Sequence, residues 1–202
     1  MDSEREQAYR SWKKFLDPDD LKANLVRASV YLSSYELLKW VIVERPRQFF
    51  STVHLQKKYK AEVIALHSKD PFHASCLWFQ KMQAIDGDDA TMVEEIRRHR
   101  NDIAHELPKY LTDSRFVVNM QLLDSVHFLV GKIERWWIRE IEMPVNPDFD
   151  PVDVGSIPDR EIQSGIMIVM DVIHKVVHGQ DQELRQLLEK LKDSGDSGDT
   201  IG

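Results

Sequence analysis

The chain has 202 residues, 42% hydrophobic and 30% charged, and 27 basic against 34 acidic side chains leave a net charge of −7. That length allows one domain with a sizeable core and a small appendage. The negative balance excludes a generic polyanion binder, so any nucleic-acid contact must be a local basic patch. The one cysteine, Cys76, excludes an intramolecular disulfide and fits a reducing compartment. It lies in an apolar run, as a buried inert thiol would. The polar, acidic start Met1-Asp2-Ser3-Glu4-Arg5-Glu6 does not read as a signal peptide, and no apolar run approaches the ~20 residues that span a bilayer. A cytoplasmic protein with no membrane partner is the expectation.

Residues 3–16 predict a first helix with Tyr9, Trp12, Phe15 and Leu16 at helical spacing, broken at Asp17-Pro18. Asp17 is a natural cap with proline at the first helical position. The second helix runs to about Glu44 with Leu21, Leu25, Ala28, Leu32 and Tyr35 as its stripe and Glu36 beside it; Arg45-Pro46 ends or kinks it. Residues 47–70 are helical but less regular and carry a solvated basic knot, Lys57, Lys58 and Lys60. Asp70-Pro71 opens a helix over 71–85 that packs Phe72, Leu77, Trp78, Phe79, Met82 and Ile85.

The next helix, 88–107, starts after Asp86-Gly87-Asp88-Asp89, where Asp88 or Asp89 can satisfy free backbone N–H groups. It stops at Pro108, which cannot donate to a continuing helix. At about 100° per residue, Met92, Ile96, Arg100, Ile103 and Leu107 fall within about 80° of one another. Glu94, Arg98, Asn101, Asp102 and His105 gather opposite, and His99, outside both groups, is expected to be peripheral. The first group is a core stripe with an arginine at its edge. A guanidinium is costly to bury unpaired, so Arg100 needs a carboxylate or an anionic ligand.

A longer helix, 114–142, carries Phe116, Met120, Leu123, Phe128, Val130, Ile133 and Trp137, with Ser114 as its cap. Between 143 and 159 four prolines and four aspartates mark a linker or surface arm. Residues 160–178 form a strongly apolar helix that must bury itself on the bundle or on a second copy. Residues 181–192 form a short amphipathic helix, and 193–202 a disordered tail. The expected fold is all-α: an up-and-down bundle over 1–142 with a C-terminal helical appendage over 160–192.

Common sites are absent from the pattern. There is no glycine-rich phosphate loop, no CxxC and no HExxH, so no cofactor is expected. His174 and His178 lie four apart with Asp171 three before them, a spacing that can hold a metal. They also sit near a helix C-terminus, where histidine is favoured electrostatically, and no metal is assigned. His54, His67, His73 and His127 are isolated.

That leaves Arg100-Asn101-Asp102-Ile103-Ala104-His105. The segment resembles the signature of HEPN domains (higher eukaryote and prokaryote nucleotide-binding), in which arginine precedes histidine by a short spacer and asparagine commonly follows the arginine. The helical layout over roughly 20–140 is similar, and Tyr35-Glu36-Leu37-Leu38 resembles an earlier core helix of such bundles. Active members are metal-independent ribonucleases that work as dimers. The resemblance implies an endoribonuclease leaving 2′,3′-cyclic phosphate and 5′-OH ends, in bacterial defence or toxin-type stress response, with a possible antitoxin or regulatory partner. His105 would serve as acid or base, Arg100 as phosphate clamp, and Asn101, one turn before His105, would orient the imidazole or hold a phosphate oxygen. Glu36 is the counter-charge for Arg100, or simply exposed. Arg97 and Arg98 can hold neighbouring phosphates, or pair on the surface with Glu94, Glu95 or Asp102. Arg100 and His105 point about 140° apart, so the expectation includes a homodimer through 88–107 in which both copies contribute histidines. Some members carry a tyrosine two positions after the histidine; this chain has Leu107, unlike the toxin subgroup modified at that tyrosine. Other members bind nucleotides, RNA or proteins without catalysis, and such a module is the alternative.

Overall fold

Aspartate, asparagine and serine set the helix starts. In the computed structural model, which describes residues 2–52, 54–147, 154–180 and 182–196, Asp17 accepts from the N–H groups of Asp19 and Asp20, and Asp70 from those of Phe72 and His73, each just before a proline. Asn119 caps a third helix and Ser164 a fourth. Each cap satisfies backbone donors that the first helical turn leaves free.

The helices are α1 (Asp2–Leu16), α2 (Pro18–Lys39), α3 (Arg45–Thr52), α4 (Gln56–Glu62), α5 (Pro71–Lys81), α6 (Gly87–Thr112), α7 (Met120–Trp137), α8 (Gly165–Val177) and α9 (Gln182–Asp196). No strand occurs among the described residues. The fold is all-α. Helices α2, α6 and α7 pack on one another, α1 lies across α2 and α6, and α8 lies across α7 and α2. Among the described residues no helix is long and apolar enough to cross a membrane.

Several expected boundaries move, each for a physical reason. The regular part of α2 stops at Lys39, before the end or kink expected at Arg45-Pro46: a π turn over Trp40–Glu44 passes the chain into α3, with Arg45 N–H bonded to the Trp40 carbonyl. A second π turn, Ile138–Glu142, extends α7 and precedes Pro144 by the same two residues. The wider turn absorbs the missing N–H of the proline that follows. Helix α6 likewise continues past Pro108 to Thr112, with non-helical backbone at Glu106 (φ −118°, ψ 23°) taking up the kink. Its cap is Asp86, which exchanges 2.9 Å hydrogen bonds with Asp89 in a reciprocal box.

Helix α7 starts at Met120 rather than at Ser114. The preceding segment is held by α1, through Gln7 Nε2 to Ser114 Oγ (2.7 Å) and Lys14 Nζ to the Asp113 and Phe116 carbonyls (3.0 and 2.6 Å). In consequence α1 docks by its polar side. Tyr9, Trp12 and Leu16, the residues noted for their helical spacing, are 61–69% exposed. Phe128 of α7 is exposed, and Leu123, Val126, Leu129, Val130, Ile133 and Trp137 are its buried line. On α2 the buried line is Ala28, Tyr31, Tyr35 and Leu38, with Leu25 outside it.

Helix α8 uses Met170 as its buried anchor and packs Ile166 and Val177 against the core, which leaves Ile168, Val169 and Val176 about half exposed. The expected apolar helix thus lies on the bundle's side. The amphipathic helix after it reaches Asp196, and the rest of the tail falls outside the described residues. The Pro/Asp arm is described only at its ends, as single 3-10 turns over Met143–Val145, Val154–Ser156 and Asp159–Glu161.

Candidate functional site

Helix α6 presents a buried line of Val93, Ile96, Ile103 and Tyr110 toward α2 and α7, with Met92 and Leu107 partly buried at its margin. Arg100 sits at the edge of this line. Its guanidinium lies over the Tyr35 ring at 5.2 Å, reaches Glu36 Oε1 at 2.8 Å and donates to Asn101 Oδ1 at 3.3 Å. The side chain is 31% exposed, and its Nε is buried without a hydrogen-bond partner. The stem is therefore packed and the fork faces a cleft.

One turn earlier Arg97 repeats the arrangement. It lies over Phe72 at 5.0 Å and bonds Asp70 Oδ2 at 2.7 Å, with Glu94 more distant at 3.8 Å. Burial alone would raise the Asp70 carboxyl, but Arg97 and the N–H groups of His73 and Phe72 outweigh it and hold Asp70 below the ordinary carboxylate value. Of the surface partners expected for Arg97, only Glu94 contributes. The main partner is the α5 cap, which is distant in sequence. Burial raises the Tyr35 phenol against the opposing pull of Arg97 and Arg100, so this ring stays neutral beneath its guanidinium.

These groups line a cleft of about 430 Å³ between α2, α5 and α6, walled by Tyr35, Phe72, Arg97, Arg100, Lys39 and Arg47. Each cation there has a carboxylate: Lys39 pairs with Glu36 at 3.3 Å and Arg47 with Glu44 at 2.5 Å. An incoming anion would exchange one of these pairs for itself. Arg97 and Arg100 are the best placed to do so, since both forks are partly open and each lies on an aromatic ring.

Arg98, Asp102 and His105 are exposed on the opposite side of α6, and Asn101 is exposed between the two sides. Arg100, Asn101 and Glu36 are thus together, while His105 is not among the residues lining the cleft. No hydrogen bond between Asn101 and His105 occurs among the described residues. His105 directly precedes the non-helical Glu106 of the Pro108 kink.

His99 corrects the sequence reading. It is not peripheral: its ring meets Tyr31 edge-on at 4.9 Å and Tyr110 at 5.9 Å, and Nε2 accepts the Asn119 N–H at 2.9 Å. Burial pushes its pKa below the usual imidazole value. Its spacing, three after Ile96 and four before Ile103, carried the signal. The only side-chain group with metal-ligand geometry among the described residues is Asp124, His174 and His178, on α7 and α8 rather than at the cleft.

Comparisons with protein-family models, with curated proteins and with solved structures gave no match to this chain.

Proposed function

We propose that the chain is a metal-independent endoribonuclease of HEPN type, working as a homodimer in the cytoplasm, in a bacterial defence or toxin-type stress response. The observation that carries the reading is Arg100: a guanidinium at the edge of the core, fixed by Tyr35, Glu36 and Asn101, with its fork open to a cleft. His105 lies five residues on, exposed at a helix kink. In the reaction the 2′-oxygen attacks phosphorus and its proton passes to an imidazole. The P–O5′ bond breaks, and the leaving 5′-oxygen takes a proton from an imidazolium. Arg100 holds the extra charge of the phosphorane. Because His105 and Arg100 diverge on one helix, the paired histidine comes from the second copy, across a two-fold axis through 88–107.

Purified protein incubated with single-stranded RNA in EDTA tests this. Cleavage should persist in EDTA, leave DNA intact and yield cyclic-phosphate ends. It should fall by roughly 10²–10⁴ in His105→Ala and about 10²–10³ in Arg100→Ala. A wild type as inert as both variants refutes the reading.

One observation favours a second reading, a non-catalytic nucleotide- or RNA-binding or protein-interaction module. Every cation lining the cleft already has a carboxylate partner, and His105 lies outside it. That reading predicts no RNA products and binding that survives His105→Ala.

A further inference from the structure

Helix α8 carries His174, and His178 is its C-terminal cap one turn later, so both imidazoles leave the same face. That face meets α7, and Asp124 Oδ1 stands 2.9 Å from His174 Nε2 and 2.8 Å from His178 Nε2. The three ligand atoms lie within 4.8 Å of one another. Asp171, the carboxylate that sequence spacing put forward, is engaged elsewhere: it pairs with Lys175 at 3.0 Å and approaches His127 at 3.9 Å. His127, one turn after Asp124, stacks on the His174 ring at 4.5 Å and 18°. The wall of the site is thus built from both helices.

We propose that Asp124, His174 and His178 bind a divalent transition-metal ion of the zinc class, with two imidazole Nε2 atoms and one carboxylate oxygen as ligands and water completing the shell. The donor set is the borderline nitrogen–oxygen type that such ions favour over calcium or magnesium. With metal–ligand bonds of about 2.0–2.1 Å, tetrahedral ligand atoms sit roughly 3.3 Å apart. The two Nε2–Oδ1 distances are slightly shorter than that, so small side-chain rotations would admit the ion. The ligands are between 24 and 49% exposed, which gives the ion an entry path and room for water. A carboxylate oxygen accepting two imidazole N–H groups could produce the same contact without an ion, and this is what the experiment separates. Bound metal would tie α8 to α7 at its C-terminal end, beyond the single buried anchor Met170. The inference does not rest on the ribonuclease reading, because it uses different helices and a binding measurement.

The test is zinc titration of the chelator-stripped full chain by calorimetry, for wild type, Asp124→Asn, His174→Ala, His178→Ala and the remote control His67→Ala, with helicity checked by circular dichroism. We expect one zinc per chain in wild type and in His67→Ala. Each ligand substitution should weaken binding by about a hundredfold or more. Absence of stoichiometric zinc binding by the wild type overturns the site, and so does equal affinity in a folded His174→Ala or His178→Ala variant.

Discussion

His99 and Arg100 are neighbours on α6 with opposite needs. The Arg100 guanidinium needs a counter-charge, and it pairs with Glu36 and lies on Tyr35. Its pair is partly exposed, so the contribution to stability is small, on the order of 1 kcal/mol or less. His99 is held neutral, because burial disfavours the imidazolium and Nε2 is already an acceptor for the Asn119 N–H. The sign of its pH dependence follows. Below about pH 6.5 the unfolded chain takes up a proton that the folded chain resists. Stability should therefore fall as pH drops from 6.5 toward the lower folded value, with a slope of at most ~1.4 kcal/mol per pH unit from this group. Urea midpoints at pH 7.5 and 5.5 should show a larger acid loss for wild type than for His99→Gln. Equal losses would mean that His99 is not the group responsible.

At the scale of elements, Arg45 joins the two π turns. It contacts the fully buried Glu134 of α7, bonds Glu142 at 2.7 Å and lies over Trp137 at 5.5 Å. Glu142 in turn accepts from Trp137 Nε1 at 3.0 Å. Replacing Arg45 leaves a carboxylate with no counter-charge in the core. Arg45→Met should cost about 3–5 kcal/mol, whereas Arg45→Met with Glu134→Leu should recover most of that loss. Urea denaturation of the two variants measures both. This pair was not legible in sequence, since its partners are almost ninety positions apart. The caps at Asp17, Asn119 and Ser164 act within one helical turn. The caps at Asp86 and Asp70 also recruit Lys132 of α7 and Arg97 of α6.

For the whole molecule, the proposed pairing of two chains concerns the exposed face of α6 that carries Arg98, Asp102 and His105. Cys76 offers a clean background for testing it: burial pushes its thiol up to about 12, so at neutral pH it should remain unreactive. A cysteine introduced by Asp102→Cys would be the one accessible thiol among the described residues. A short bis-maleimide should then join two chains in that variant and leave the wild type monomeric on a denaturing gel. Failure to crosslink at concentrations where sedimentation shows a dimer would move the interface elsewhere. The exposed apolar sides of α1 and α8 are the next faces to probe.

By itself, the sequence determined what depends on neighbours along the chain. The all-helical class, the caps at Asp17 and Asp70 that stand just before prolines, the buried cysteine and the amphipathic division of α6 are all local in origin, and each is read from spacing and residue type. The tertiary structure decided which face of each helix is buried and who meets whom. It turned the aromatic stripe of α1 outward because Gln7, Ser11 and Lys14 bind the segment before α7. It drew His99 inward, gave Asp70 to Arg97, and brought Asp124 to a histidine pair for which sequence spacing had suggested Asp171. Those choices depend on charges and carbonyls contributed from distant segments, and no periodicity along one helix encodes them.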